Sequence, residues 1–274
     1  MQRNFRKYFP SVREMDRCIR FYYLLHDAAG SRQMYDNHPQ GTIDVQFTLG
    51  GTTTFAHGNE APTKLDGIFI VGQQQRHFRF GFDPHTTVVG IVFHAPAFAK
   101  LSGIPLEVFT NVAMDVTQLL PQRYRDLWGR LFDAKSDADR VELLDAFCRS
   151  ELYLHNVELE PLDELLMHLR SVDELPSVAE LANMANVGIR SLQRHTRQAL
   201  GISPKSYLQV LRFNRTLSEL NAIDFAQWQD PVFDAGYYDQ AHFIKDFKRF
   251  TGHAPTAYLN EQHRLAAFFR EGQS

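Results

Sequence analysis

The residues with the clearest chemistry are cations that recur near the C-terminus at an offset of 51 residues. Arg194 corresponds to Lys245 and Arg197 to Lys248. In each copy, the two cations lie a few residues before a G-x-x-P-x-x-Y motif. Two copies are too few for a solenoid, which needs about three repeats to bury a continuous core. The pattern instead predicts a duplicated small helical module. Two equivalent cationic surfaces suit a polyanion that itself repeats.

The first copy has the pattern of two short helices joined by a tight turn. Ser177 is an expected N-cap for a helix that carries Leu181 on its apolar side. The chain then breaks at residues 186–188. A second helix is predicted at about residues 189–200, where Gly201 favours a helix stop. This order is the outline of a helix-turn-helix.

The second helix of this copy has one apolar and one cationic side. At about 100° per residue, the apolar side is formed by Ile189, Leu192, Thr196 and Ala199. The opposite side comprises Arg190, Arg194 and Arg197, flanked by Ser191 and Gln198. Taken alone, these arginines could be only a solvated helix surface. The second copy argues against that alternative, because it repeats the cationic side.

The second copy shows the same division within the string DQAHFIKDFKRFTG. Asp239 is an expected N-cap there. The predicted buried side consists of Phe243, Phe247 and Phe250. The predicted outward side consists of Ala241, Lys245 and Lys248, flanked by His242 and Arg249.

Residues 177–259 resemble the C-terminal DNA-binding region of AraC/XylS-type transcription regulators. The most specific string is GYYDQAHFIKDFKRFTGHAP at residues 236–255, supported by SLQRHTRQALGISPKSYL before it. The resemblance covers about the last third of the chain. It implies two helix-turn-helix units joined by a long helix at about residues 204–220. Each second helix would enter the major groove, about one DNA turn apart.

The resemblance implies DNA contacts for the outward residues of both copies. We expect base edges to be read by Arg190, Arg194 and Lys245, because arginine can donate two hydrogen bonds to guanine. We expect phosphate contacts from Arg197, Arg212, Arg215 and Lys248. The predicted DNA-binding set is completed by Ser191, Gln198, Ala241, His242 and Arg249. For Arg212 and Arg215, which lie on the connecting helix, an ion pair with Glu219 is the alternative.

The charge distribution favours the first copy as the source of most of the affinity. Residues 181–218 contain no Asp or Glu but six cations, whereas from residue 219 onward five cations face eight acids. Phosphate neutralisation supplies most sequence-independent affinity for DNA. The whole chain has a formal net charge of −3 and a pI near 6.5. That balance argues against a histone-like coating protein and favours binding at few selected sites.

The N-terminal part has a different pattern, so we predict an α+β fold with two domains, at residues 1–170 and 171–274. Residues 42–94 are rich in β-branched and aromatic residues interrupted by glycine, which predicts an antiparallel sheet or a small barrel. Residues 11–26 are predicted as an amphipathic helix. Further helices are predicted at residues 95–101, 117–132 (beginning near Pro121), 138–153 and 162–169. The second domain is predicted to be all-α.

The string TVVGIVFHAPAFAKLSGIPLEVFTN resembles the sensor domain of one branch of AraC-like regulators. The resemblance implies a domain that binds a small molecule, forms a homodimer, or both. The alternation in HFRFGF places Phe78, Phe80 and Phe82 on one side of a strand. They form either the core of a sandwich or a pocket in which Arg76 or Arg79 meets an anionic group. The alternative is a DNA reader controlled by a protein partner or by abundance, without a small-molecule ligand.

Histidines in the β-rich segment raise a remote alternative, a metal-dependent enzyme. A 2-His-1-carboxylate site could be drawn from His57, His77, His85 and His94 with Glu60 or Asp83. The chain contains no H-x-x-x-H, C-x-x-C or G-x-S-x-G motif. We therefore expect no catalysis, no metal and no cofactor.

Two cysteines, Cys18 and Cys148, fit a reducing cytoplasm. No apolar run approaches the length of about 18 residues that a membrane span needs. The N-terminal string MQRNFRKYFP leads into no apolar segment, so we expect no signal peptide. The expected protein is a cytoplasmic regulator that binds double-stranded DNA and, as expected partners, a small-molecule effector and a second copy of the chain, without a membrane.

Overall fold

The N-terminal half forms two antiparallel β-sheets. The structure is a computed structural model, and it describes residues 4–26, 34–58, 60–220, 237 and 240–260. The six-stranded sheet has the order β1 (Asn4–Tyr8), β2 (Ile19–His26), β9 (Thr87–Phe93), β4 (Ile43–Leu49), β7 (Ile68–Val71) and β10 (Ala113–Asp115). The four-stranded sheet has the order β3 (Met34–Asn37), β8 (Phe78–Phe82), β5 (Thr53–His57) and β6 (Thr63–Leu65).

The two sheets face each other across an aromatic core. This core takes side chains from both sheets: Phe21, Tyr23, Leu25, Phe69, Val71, Val88 and Val92 from the large sheet, and Phe55, Leu65, Phe78, Phe80 and Phe82 from the small one. Side chains alternate along a strand, so one face of each strand can line this core. The predicted antiparallel sheet is therefore confirmed as a two-sheet sandwich. The small barrel is not formed by the described strands, since both sheets have edge strands.

The predicted helix at residues 11–26 is wrong. A short 3₁₀ helix occupies Arg13–Arg17, and β2 follows it. Phe21 and Tyr23 of β2 face the sandwich core, whereas Tyr22 and Leu24 belong to the core under the helices. Because both faces of β2 are buried, the aromatic run has no polar side. The spacing of its apolar residues in the sequence therefore also fits the apolar side of a helix.

Four helices cover the outer face of the large sheet, close to their predicted positions. They are α1 (Ala95–Ser102), α2 (Gln122–Asp133), α3 (Asp137–Leu154) and α4 (Pro161–His168). Pro121 stands immediately before α2, where its missing N–H costs no helical hydrogen bond. Ser136 caps α3, with its side chain accepting from the Asp139 N–H.

Five helices are described in the C-terminal part: α5 (Val178–Met184), α6 (Ile189–Leu200), α7 (Pro204–Leu220), α8 (Gln240–Thr251) and α9 (Pro255–Asn260). The Ser177 hydroxyl accepts from the Glu180 N–H at 3.2 Å, and the Glu180 carboxylate accepts from the Ser177 N–H at 2.8 Å. This capping box begins α5. Gly201 ends α6 with a left-handed φ of 77°, which is the conformation that glycine adopts most easily.

Helix α7 joins two hydrophobic cores. Its Leu208 and Leu211 belong to the core that includes Leu192 and Leu200 of α6 and the helix-facing side of the large sheet. The opposite part of α7 forms a second core with α8, composed of Val210, Phe213, Leu217, Leu220, Phe243, Phe247 and Phe250 together with Tyr237 and Tyr258. The first core contains residues from both sides of position 170, so the domain boundary there stays a prediction.

Candidate nucleic-acid interface and ligand cavity

Helix α6 is held by one buried side. Leu192, Thr196, Ala199 and Leu200 are buried, and the Thr196 hydroxyl donates to the Leu192 carbonyl at 2.7 Å. A threonine can occupy this position because that hydrogen bond satisfies its hydroxyl. Ile189 departs from the predicted apolar side, since 49% of its surface is exposed. It is the first residue of the helix and lies beyond the end of the buried stripe.

The opposite side of α6 presents its cations to solvent. Of the residues predicted to contact DNA, Arg190, Arg194, Arg197 and Gln198 are exposed, and Ser191 is half-buried. Among the described residues, no carboxylate lies within ion-pair distance of these three arginines. Their charges are therefore available to an external anion. The arrangement matches the predicted outward surface, and its contact with DNA stays a prediction.

A side-chain hydrogen bond that the sequence did not reveal connects α6 to α4. His195 Nε2 lies 2.7 Å from Asp163 Oδ1, and Asp163 on α4 is fully buried. Lys100 Nζ of α1 lies 3.7 Å from the other oxygen of the same carboxylate. Asp163 also accepts from the Glu160 N–H, which closes the first turn of α4. One buried carboxylate thus connects α1, α4 and α6.

Helix α8 shows the same division of sides as α6. Phe243, Phe247 and Phe250 are buried, as predicted. Of the residues predicted to face outward, Ala241, Lys245 and Lys248 are exposed. His242 is half-buried, with Nε2 3.8 Å from Asp246 Oδ2 and its ring against Tyr237. The expected N-cap Asp239 lies outside the described residues.

Three of the cations predicted to contact DNA are held by other parts of the chain. The Arg249 Nε donates to the Gln75 carbonyl at 2.9 Å. Arg215 donates to the carbonyls of Leu169 and Asp173, at 2.6 and 2.9 Å, rather than to Glu219. Arg212 lies over the Tyr237 ring, with 5.8 Å from its Cζ to the ring centroid. Their guanidinium groups are less available to phosphate than those of α6.

A cavity of about 350 Å³ extends from the sandwich interior towards α7. Its apolar wall includes Phe21, Leu25, Val71, Phe78, Phe80, Phe82, Val88 and Val92. Its charged lining consists of Lys7, Arg20, Arg170, Arg215 and Asp44. This size is at the lower end of small-molecule sites, and the apolar wall with few polar groups is typical of them.

The cations of the cavity differ from those predicted. Arg76 pairs at the surface with Glu60, at 2.7 Å, and Arg79 does not line the cavity. Arg20 lines the cavity instead, because it is the extra residue of a β-bulge. Ile19 pairs with Phe93 and Phe21 pairs with Val92, so Arg20 has no opposite residue on β9. A bulge redirects the side chain at its position, and this irregularity leaves no signal in the residue pattern.

The cavity has an excess of positive charge. Burial, together with the nearby Arg170, lowers the pKa of Arg20 to about 9. Burial, together with Arg20, lowers the pKa of Lys7 to about 8. Arg170 donates to the carbonyls of Gln40 and Gly41, and no described carboxylate pairs with Arg20 or Arg170. An anion placed between them would relieve their repulsion.

Asp44 is the acidic group of the cavity. Its Oδ2 accepts from the Tyr23 hydroxyl at 2.8 Å and from Gln46 Nε2 at 2.6 Å, whereas its Oδ1 is buried without a partner. Burial raises the pKa of Asp44 to about 7. The carboxyl is therefore neutral at acidic pH, when the cavity is most positive.

The histidines considered for a metal site are not grouped. His57 Nε2 lies 2.6 Å from Gln74 Oε1, and burial lowers the pKa of His94 to about 3. Within the part of the chain that the structure describes, no three His, Cys, Asp or Glu side chains are arranged to hold a metal ion. Cys18 and Cys148 are buried free thiols. None of the helices in the described ranges has the length and apolarity to cross a membrane.

Comparisons with known proteins agree with this arrangement. Residues 181–261 match the family model described as a helix-turn-helix domain, and residues 6–115 match a domain of unknown function, DUF6597. The comparison with curated proteins gave no match.

The chain is also similar, at low identity and low TM-score, to several solved structures. One is ToxT from Vibrio cholerae, at 11% identity and a TM-score of 0.46, with 87% of this chain and 98% of that chain covered. Another is ToxT from the same organism with a bound unsaturated fatty acid, at 9% identity and a TM-score of 0.46, covering 87% and 94%. A third is the AraC-like transcriptional activator CuxR, at 14% identity and a TM-score of 0.30, covering 84% and 91%. A helix-turn-helix domain therefore follows the β-rich N-terminal part of the chain.

Proposed function

We propose that the chain binds specific double-stranded DNA sequences through α6 and α8 and that a small molecule in the sandwich cavity controls this binding. The observation that carries the first part is the outward surface of α6. Three arginines are exposed there with no carboxylate of the described ranges within ion-pair distance, while the other side of the helix is buried. In a helix-turn-helix, the second helix enters the major groove with its outward residues.

We propose that α6 and α8 each supply base contacts and phosphate contacts. On α6, Arg190 and Arg194 read base edges and Arg197 contacts phosphate, with Ser191 and Gln198 beside them. On α8, Lys245 reads a base edge and Lys248 contacts phosphate, with Ala241 and His242 beside them. Because Arg249, Arg212 and Arg215 have intramolecular partners, we propose that they contribute less in this conformation.

Selection of bound sequences from random DNA tests the DNA-binding part. We expect two half-sites whose centres are about one helical turn apart. Arg194→Ala should weaken binding to the selected site, by about 1–3 kcal/mol if it reads a guanine. Arg130→Ala is the matched control, because Arg130 is an exposed arginine on α2. A selected pool with one half-site would show that only one unit reads bases.

The proposed effector has an apolar body and an anionic group. The apolar wall of the cavity suits the body, and Arg20 with Arg170 suits the anion. The probe 8-anilinonaphthalene-1-sulfonate has both features and reports a dry site by fluorescence. We expect saturable binding that Arg20→Gln weakens, whereas Arg76→Gln has no effect because Arg76 lies outside the cavity. Equal effects of the two substitutions would refute this assignment.

A second candidate is the same DNA reader without a small-molecule effector, controlled by a protein partner or by abundance. A thermal-shift screen with small anionic apolar compounds separates the two. A ligand that binds only the native state raises the apparent stability by mass action. If no compound shifts the transition, the second candidate is favoured. Homodimerisation stays a prediction from the family resemblance. We propose no enzymatic role for the β-rich domain.

A further inference from the structure

Two loop segments of the N-terminal part form one continuous surface, which we call the docking strip. It comprises residues 72–77, after β7, and residues 106–112, before β10. The Asn111 side chain joins them, because its Oδ1 accepts from the Gln75 N–H at 2.8 Å and its Nδ2 donates to Gln75 Oε1 at 3.0 Å. The Asn111 N–H also donates to the Gln73 carbonyl at 2.8 Å. The strip is thus cross-linked by side-chain and backbone hydrogen bonds.

The strip contacts the first helix-turn-helix unit at the end of α6. The Thr110 hydroxyl donates to the Gly201 carbonyl at 2.5 Å. A Cβ at Gly201 would lie 2.6 Å from the Leu106 carbonyl oxygen, so only glycine allows this close approach. The strip also contacts the start of α7, where Gln75 Nε2 donates to the Ser206 hydroxyl at 3.2 Å.

The same strip contacts the second unit at the end of α8. The His77 N–H donates to the Arg249 carbonyl at 2.9 Å. In return, the Arg249 Nε donates to the Gln75 carbonyl at 2.9 Å. A Cβ at Gly252 would lie 2.8 Å from His77 Nε2.

The two contacts fall on equivalent positions of the duplicated module. Gly201 and Gly252 are separated by the repeat offset and have left-handed φ values of 77° and 81°. Each glycine N–H donates at 2.9 Å to the carbonyl four residues earlier, Arg197 for the first and Lys248 for the second. One surface of the N-terminal part therefore holds both DNA-reading helices at the same point of the motif. It fixes their relative placement.

We propose that the docking strip is an autoinhibitory clamp, which restrains both helix-turn-helix units by their recognition-helix ends and withholds Arg249 from DNA. The Arg249 guanidinium lies against the Phe250 ring, donates to Gln75, and lies 3.4 Å from Gln209 Oε1. To reach a phosphate, the guanidinium has to give up these contacts. Two units that are fixed to a third body cannot adjust separately to two grooves. Release of the strip removes both restraints.

The strip is also part of the cavity wall, through Gly72 and Gln74. The Gln74 side chain donates to the carbonyls of Gly72 and Val112, one from each segment of the strip. An occupant of the cavity therefore touches the residues that hold the strip together. This connection to an effector, and the DNA readout below, rest on the proposed function. The clamp itself rests on the contacts of the strip.

The test compares Asn111→Gly with Asn156→Gly in the full-length chain. Both asparagines have a positive φ, 58° and 43°, so glycine preserves the backbone at each. Asn111→Gly removes the cross-link of the strip. Asn156→Gly is the matched control, because its side chain donates to the nearby Glu158 in the exposed segment after α3. Thr110→Val is a second variant, which removes the hydroxyl at Gly201 with little change of shape.

Amide hydrogen exchange, measured without DNA, tests directly whether the docking strip restrains both units. In Asn111→Gly we expect faster exchange of the His77 amide and of residues 201–206 and 249–252, with the sandwich strands unchanged. Thr110→Val should accelerate exchange at residues 201–206 alone. Asn156→Gly should change neither region. If Asn111→Gly changes only one unit or neither, the common clamp is refuted.

The affinity for the selected DNA then tests whether the docking strip inhibits binding. We expect Asn111→Gly to bind the selected DNA roughly two- to fivefold more tightly, as for one gained surface ion pair. The salt dependence should steepen by about 0.9 in log–log slope, for one further phosphate contact. Unchanged or weaker binding with faster exchange at both units would refute the autoinhibitory role. If neither the native chain nor the variants bind any selected DNA, the proposed function and the autoinhibitory role both fail. The exchange data still decide whether the strip holds both units.

Discussion

At the scale of single residues, the outward cations of α6 and α8 are not equivalent. Arg190, Arg194 and Arg197 are exposed together on α6, whereas on α8 only Lys245 and Lys248 are exposed and Arg249 is engaged by Gln75. Equivalent positions of the duplicated motif thus differ in the charge that they offer to phosphate.

We expect Arg194→Ala to reduce DNA affinity more than Lys245→Ala does. The first unit offers more free charge, and arginine can donate two hydrogen bonds to a guanine where lysine acts as a point charge. Titrations of both variants at several salt concentrations measure affinity and slope together. Equal losses of affinity with equal changes of slope would show that the two units share the electrostatic contact evenly.

Asp44 gives a pH dependence of stability. Burial raises its pKa from 3.8 to about 7, so between these values the native state binds a proton that the unfolded state has lost. Stability from this group is therefore greatest below pH 4 and is lost as pH rises to about 7, by at most about 1.4 kcal/mol per pH unit. Asp44→Asn should flatten this part of the profile in denaturant unfolding. Asp126→Asn, on the exposed surface of α2, is the control. An unchanged slope in Asp44→Asn would assign the dependence to another group.

The candidate site was predictable from sequence only where its determinants are local. The outward side of α6 follows from the helical period, and Phe78, Phe80 and Phe82 follow from strand alternation. Arg20 could not be found in this way, because its direction depends on how β2 pairs with β9. His195 was equally hidden, since its partner Asp163 is 32 residues away in sequence and is buried under another helix.

At the scale of elements, signals at helix ends were more reliable than apolar patterns. The predicted bounds of α6 and α7 match the structure because Gly201 and Pro204 mark a stop and a start. The run at residues 19–26 contains no such signal. Its apolar residues fit both a helix and a strand buried on both faces, and only its partners β1 and β9 decide between them.

The hydrogen bond between His195 of α6 and Asp163 of α4 should contribute to the stability of the first unit. His195→Ala would leave Asp163 buried, with Lys100 Nζ 3.7 Å away as a cationic contact. We expect a loss of about 1–3 kcal/mol in the free energy of unfolding, the cost of an unsatisfied buried polar group. His168→Ala, at the exposed end of α4, is the control. Urea unfolding measures both. A loss below about 0.5 kcal/mol would mean that water replaces the histidine without cost.

At the scale of the whole molecule, the N-terminal part and the first helix-turn-helix unit share one core. Leu181, Leu192 and Leu200 belong to the same buried cluster as the helix-facing side of the large sheet. Helix α6 also packs against α1 and the 3₁₀ helix Leu106–Phe109. Continuity of this kind connects the large sheet to α6 through packed side chains rather than through a flexible linker.

This continuity predicts that the first unit depends on the N-terminal part for its full stability. A fragment of residues 171–274 would lose the cover that α1 and the docking strip provide over α6. Its amides at residues 189–200 should exchange faster than in the full-length chain, because opening of α6 then breaks fewer buried contacts. The amides of α8 near Phe247 should change less, since the core formed by α7 and α8 is contained within the fragment. Equal protection of α6 in fragment and full-length chain would show that the first unit is stable alone and that the shared core adds nothing to it.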